Sequence, residues 1–158
     1  MLFSVLGFAA AAQEQPQGPV ILEVTGAIGN TNDEGDTAMR YDLAMLDAVG
    51  THELVTRTPW TDGQTRFEGV LLRDLMADVN AQGTEAAAIA LNDYTITIPL
   101  MDGESYDVIL ALRANGQILT VRNKGPVWII YPWSDDPDLQ NEVYYSRSIW
   151  QLKTLDVR

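Results

Sequence analysis

The sequence predicts an α+β domain: a mixed, β-rich sheet or flattened barrel with two short helices. Three observations lead there. Apolar residues recur with period two in many short runs separated by turn residues, most clearly from residue 85 onward. Two stretches instead carry apolar residues at helical spacing. A chain of 158 residues with 46% apolar and 20% charged side chains also has the size and composition of one globular domain with one core.

The elements follow in chain order. "MLFSVLGFAAAAQEQ" is an apolar run ending in small residues and then a polar segment, the layout of a secretory signal; an apolar N-terminal helix is the alternative. The run is too short to span a bilayer, so no stable membrane insertion is expected. With a signal, the mature chain starts near Gln13 and is periplasmic; residues 1–18 are then signal and linker, and 19–158 a single domain. "PVILEVTG" predicts a strand over 19–25, and "DLAMLDAV" a short helix capped by Asp42 and stopped by Gly50. "HELVTRT" reads as a strand. "RFEGVLLRDLMADVNAQG" reads as the second helix, since Leu72, Leu75, Met76 and Val79 fall at i, i+3, i+4 and i+7, and it is expected to run out at Gly83. Strands are then expected at "AAIAL", "YTITIPL", "YDVILALR", "QILTV", "VWIIYP" and "SIWQLKTLDV", with turns at Asn92-Asp93 and Asn115-Gly116.

Charge and missing residue types exclude several functions. Twenty-two acidic against ten basic residues repel phosphate backbones and anionic lipid headgroups, so no nucleic-acid partner is expected. Cysteine is absent, which removes disulfides, thiolate nucleophiles and cysteine-ligated metals. "NTNDEGD", from Asn30, starts like a calcium loop, but its twelfth position is Tyr41 rather than a bidentate Glu, so it reads as a solvated turn. The lone His52, at a strand start, reads as structural or exposed. The carboxylates Asp135, Asp136 and Asp138 read as a solvated turn, and no residue is assigned a catalytic or metal-binding role.

What remains is a concentration of aromatic rings. Residues 125–152 hold three of the four Trp and three of the six Tyr, and Trp60 lies in a separate loop, "TPWTDG". Trp128, among Val127, Ile129 and Ile130, reads as core. Trp60, Tyr131 and Trp133 are expected on loops leaving the sheet, where a rigid scaffold displays binding groups. A flat heteroaromatic ligand needs stacking faces and polar groups matched to its edge. The adjacent N–H donors of a 2-amino-4-oxo pyrimidine suit one carboxylate, which nominates Asp62 or Asp93.

Several of these stretches together resemble a known family. "TPWTDG", "FEGVLLRDLM", "ALNDYTITIPL" and "RNKGPVWIIYPWSDDPDLQNEVYYSRSIWQLKTLDV" are similar to the molybdopterin-binding domain of the sulfite oxidase superfamily, over about residues 19–158. The resemblance implies that family's mixed fold around a pterin. In catalytic members a cysteine on the loop after the strand corresponding to "HELVTRT" ligates molybdenum; this chain has Thr56, Thr58 and Trp60 there, which argues against bound molybdenum and leaves a pterin pocket. A cysteine-free branch of the fold consists of periplasmic pterin-binding sensors that associate with the periplasmic domain of a membrane-bound cyclic-di-GMP enzyme, a diguanylate cyclase or phosphodiesterase. By that resemblance the expected function is non-catalytic binding of a reduced or molybdopterin-like pterin, with Trp60, Tyr131 and Trp133 as walls and Ser146 and Arg147 holding its polar side chain. A molybdenum-cofactor-dependent oxidoreductase is the alternative.

Overall fold

The computed structural model describes residues 13–158; the predicted signal falls largely outside them. Ten strands and four short α-helices follow in the order β1 Leu22–Gly26, β2 Ala38–Tyr41, α1 Leu43–Val49, β3 His52–Arg57, β4 Gln64–Leu71, α2 Leu72–Asp78, β5 Glu85–Ala90, β6 Thr95–Pro99, α3 Met101–Ser105, β7 Ile109–Ala114, β8 Gln117–Ile118, β9 Trp128–Ile130, α4 Glu142–Arg147 and β10 Leu152–Val157. The mixed, β-rich architecture is as the sequence predicts. The described residues hold four short α-helices, not two, because α3 and α4 are too brief to show a helical period.

Two five-stranded sheets form the frame. In the first, the order is β2-β1-β10-β5-β6; β10 is parallel to β1 and antiparallel to β5. In the second, β3, β4, β7 and β8 are neighbours in that order, and β9 pairs with β7 ahead of β8 along the same edge. All of its pairings are antiparallel. Leu22, Val24, Leu152 and Leu155 from the first sheet and Phe67, Val70, Ile109 and Leu110 from the second are fully buried in one core.

Local chemistry explains most boundaries. Asp42 caps α1: its carboxylate accepts from the Met45 N–H at 2.8 Å, worth about 1 kcal/mol at such a position. The same carboxylate accepts from the N–H of Gln17 and Gly18, which fastens the segment entering β1. These donors, Gly18 first, hold its pKa below the ordinary aspartate value. The turn after Asn30 is built as a solvated loop. Asp33 accepts from the Thr37 hydroxyl and from the N–H of Thr37 and Ala38, and its pKa falls to about 2, mostly through the hydroxyl.

The predicted second helix needs correction at both ends. Residues 66–71 belong to β4, where Thr65 and Phe67 are buried and alternate with the exposed Gln64 and Arg66 and the half-buried Glu68, so the period is two. Helical spacing takes over only at Leu72, and α2 stops at Asp78, well short of Gly83. The switch passes through a bulge between Glu68 and Gly69. A Cβ on Gly69 would stand 1.9 Å from the Leu110 carbonyl oxygen, so the crossing strands allow only glycine there.

Candidate functional site: an aromatic cleft around Trp60

Trp60 lies in the β3–β4 connection. The Thr58 hydroxyl accepts from the Trp60 N–H at 3.1 Å and bonds the Thr61 hydroxyl at 2.7 Å, which folds the loop back on itself. The indole then meets rings from four other places. Edge-to-face contacts join it to Trp150 at 5.4 Å, Trp133 at 5.8 Å, Trp128 at 6.0 Å and Tyr145 at 6.0 Å between centroids. All four tryptophans thus share one cluster, in the geometry that ring quadrupoles favour. Trp128, from β9, is core as expected; its indole N–H donates to the Ser148 carbonyl at 3.1 Å. The Lys124 ammonium lies 5.2 Å from the Trp150 centroid and 5.7 Å from that of Trp128.

A cleft of about 360 Å³ opens beside this cluster. Its walls come from Trp60, from Asn92 and Tyr94 in the β5–β6 turn, from Glu142, Tyr145 and Ser146 on α4, and from Trp150 and Gln151 leading into β10. The volume suits a small planar guest, and the lining has the mix of ring faces and a few polar groups usual for such sites. A smaller hollow of about 230 Å³ shares Tyr145 and is bordered by Arg57, Thr58, Trp133, Ser134 and Gln140. The Trp133 indole N–H is a buried donor without a partner, the one such side-chain atom among the described residues. A polar group left so is costly unless something accepts from it.

The predicted site residues divide. Trp60 and Ser146 line the cleft. Trp133 packs on Trp60 but is only 2% exposed, and Tyr131 is fully buried. Both follow the end of β9, yet their connection folds back over the core rather than leaving it: the Trp133 N–H donates to the Tyr131 carbonyl, and those of Asp135 and Asp136 to the Pro132 carbonyl. The Tyr131 hydroxyl donates to Asp102 at 2.7 Å, and its pKa is pushed far above the ordinary phenol value, chiefly by burial. Arg147 pairs with the same Asp102 oxygen at 2.8 Å. Asp62 is exposed in the Trp60 loop, and Asp93 is exposed and paired with Lys153; neither lines the cleft. Sequence reasoning missed Tyr94, Glu142, Tyr145 and Trp150, although Tyr94 belongs to the "NDY" turn and the other three to the ring-rich stretch.

Thr56, near the end of β3 and ahead of the Trp60 loop, is enclosed. The Thr56 side chain is completely buried; its hydroxyl accepts from the Ser134 N–H at 3.0 Å and lies 3.2 Å from both the Arg57 carbonyl and the Ser134 hydroxyl. The Arg57 N–H donates to that Ser134 hydroxyl at 2.8 Å. Thr58, next along, is committed to Trp60 and Thr61.

A family model described as "Oxidoreductase molybdopterin binding domain" matches residues 37–134. The chain belongs to that family. The matched span runs from β2 to the connection holding Trp133 and so includes the Trp60 loop. Among solved structures, the sulfane dehydrogenase SoxCD from Paracoccus pantotrophus superposes with a TM-score of 0.61 at 16% identity, over 92% of this chain. That likeness is one of fold, and the domain spans 40% of the SoxCD chain. No curated protein matches the domain by sequence.

Proposed function

We propose that the domain binds a pterin as a metal-free ligand in the cleft beside Trp60 and acts as a non-catalytic sensing module. One observation carries this reading: of four tryptophans packed in one cluster, Trp60 and Trp150 wall a cleft of about 360 Å³, while the adjoining threonine hydroxyls are spent on one another, on Ser134 and on backbone. The pterin half of the family's cofactor fits that cleft. The ring stacks on Trp60 or Trp150, each worth about 1 to 3 kcal/mol by analogy with nucleobases, and Asn92, Glu142 and Ser146 meet its edge. The metal half does not fit. The domain lacks the thiolate that catalytic members of the family it resembles supply to molybdenum: it has no cysteine, and the threonine hydroxyl near that position is buried and occupied.

The apolar N-terminal run supports a periplasmic location, and a chain without cysteine tolerates an oxidising compartment. There the domain would report ligand occupancy to the periplasmic part of a membrane-bound cyclic-di-GMP enzyme, in the manner of the cysteine-free proteins it resembles. For a signal to pass, the pterin must favour the partner-competent conformation.

The test is protein purified from a molybdate-replete host, analysed for metal and titrated anaerobically with tetrahydrobiopterin by calorimetry. Saturable one-to-one binding without molybdenum is expected. No heat of binding up to roughly 100 μM would overturn the reading. Stoichiometric molybdenum would restore the oxidoreductase alternative.

A further inference from the structure

Helix α4 supplies Glu142, Tyr145 and Ser146 to the cleft, yet none of its residues is buried. It therefore lacks the apolar anchor that holds α1 and α2. Polar and ring contacts hold it instead. Asn141 caps its start by accepting from the Val143 N–H, and Tyr144 packs on Tyr131 at 5.5 Å and Tyr106 at 5.9 Å. At its end, Arg147 lies over the Tyr144 ring at 5.3 Å and reaches Asp102 of α3. Asp102 is 8% exposed and also receives the hydroxyl of buried Tyr131, so a carboxylate fixed in the body of the domain grips the helix that walls the cleft.

We propose that Asp102 is a positioning residue for the ligand cleft: through Arg147 it fixes where α4 stands, so ligand affinity depends on a carboxylate that does not line the cleft. This rests on the pterin-binding reading. Removing either partner of so enclosed a pair leaves the other charge uncompensated, which favours a displaced α4. Ligand and latch then act on one equilibrium: a closed latch tightens binding, and bound ligand holds the latch closed by the same factor.

The test uses the whole protein with tetrahydrobiopterin as probe. Wild type, Asp102→Asn, Arg147→Gln and the double variant are titrated by calorimetry, and amide exchange is followed over α4 and, as a control for the fold, over β10. Each single variant is expected to bind about tenfold more weakly, and the double variant no worse than the weaker single one, since both break the same contact. Exchange should quicken in α4 and stay unchanged in β10. Wild-type affinity in Asp102→Asn overturns the proposal. So does undiminished binding there beside a loss in Arg147→Gln, because Arg147 would then touch the ligand itself. Should Arg147→Gln not fold, Arg147→Lys replaces it; that variant keeps the charge and should bind between wild type and Asp102→Asn, and a loss as large as that of Asp102→Asn overturns the ion-pair basis. If wild type does not bind the probe, the pterin reading falls, and the latch is judged by exchange alone: unaltered α4 exchange in the variants overturns it.

Discussion

The aromatic stretch from Val127 to Trp150 supplies two groups of rings that do opposite things. Tyr131 and Trp133 are sealed, one bonded to Asp102 and the other packed on Trp60. Tyr145 and Trp150, from the same stretch, face the cleft, where Trp150 keeps 37% of its surface exposed. Residue type does not separate the groups. What separates them is the chain's path: after β9 it folds back over the core, while α4 and the approach to β10 run along the rim. The sealed rings should thus carry stability and the rim rings binding.

The largest effect that can break this division is expected from Trp133→Ala. Emptying a buried indole site costs about 3 to 5 kcal/mol, read as a lower denaturation midpoint. An unchanged midpoint would place Trp133 with the rim rings instead. Tyr131→Phe keeps the ring and deletes one of Asp102's two side-chain donors, so a stability loss of about 1 to 3 kcal/mol is expected. Trp150→Ala sharpens the other side: about 1 to 3 kcal/mol of tetrahydrobiopterin affinity should vanish while the midpoint moves much less than in Trp133→Ala. Lys124→Gln should be mildest, costing about 0.5 to 1 kcal/mol of stability through the lost cation contact with Trp150 and Trp128.

The fold was legible where local pattern and tertiary demand agree. Asp42 and Gly50 bound α1 as the sequence predicts, and the strand runs from Glu85 onward appear in order. Periodicity failed at Arg66 to Leu71, because one apolar series served a strand and then a helix without a break. Helix α4 left no signal: its apolar residues make no buried stripe, and its hold on the body is ring contacts and an ion pair with a residue 45 positions away. The candidate site was half legible for the same reason. Ring density pointed to the stretch that supplies much of the cleft wall, but whether a ring is wall or core depends on what covers it, and the partners covering Tyr131 and Trp133 come from α3, α4 and the Trp60 loop.

The placement of β10 between β1 and β5 bears on how the domain is born. The pair β1–β2 and the hairpin β5–β6 share no direct ladder; each is completed only by the segment from Leu152 to Val157. Until residue 157 has left the ribosome, both halves of that sheet present raw edges, and early local hairpins cannot add up to a domain. That sheet can therefore close only once the segment from Leu152 to Val157 lies between β1 and β5.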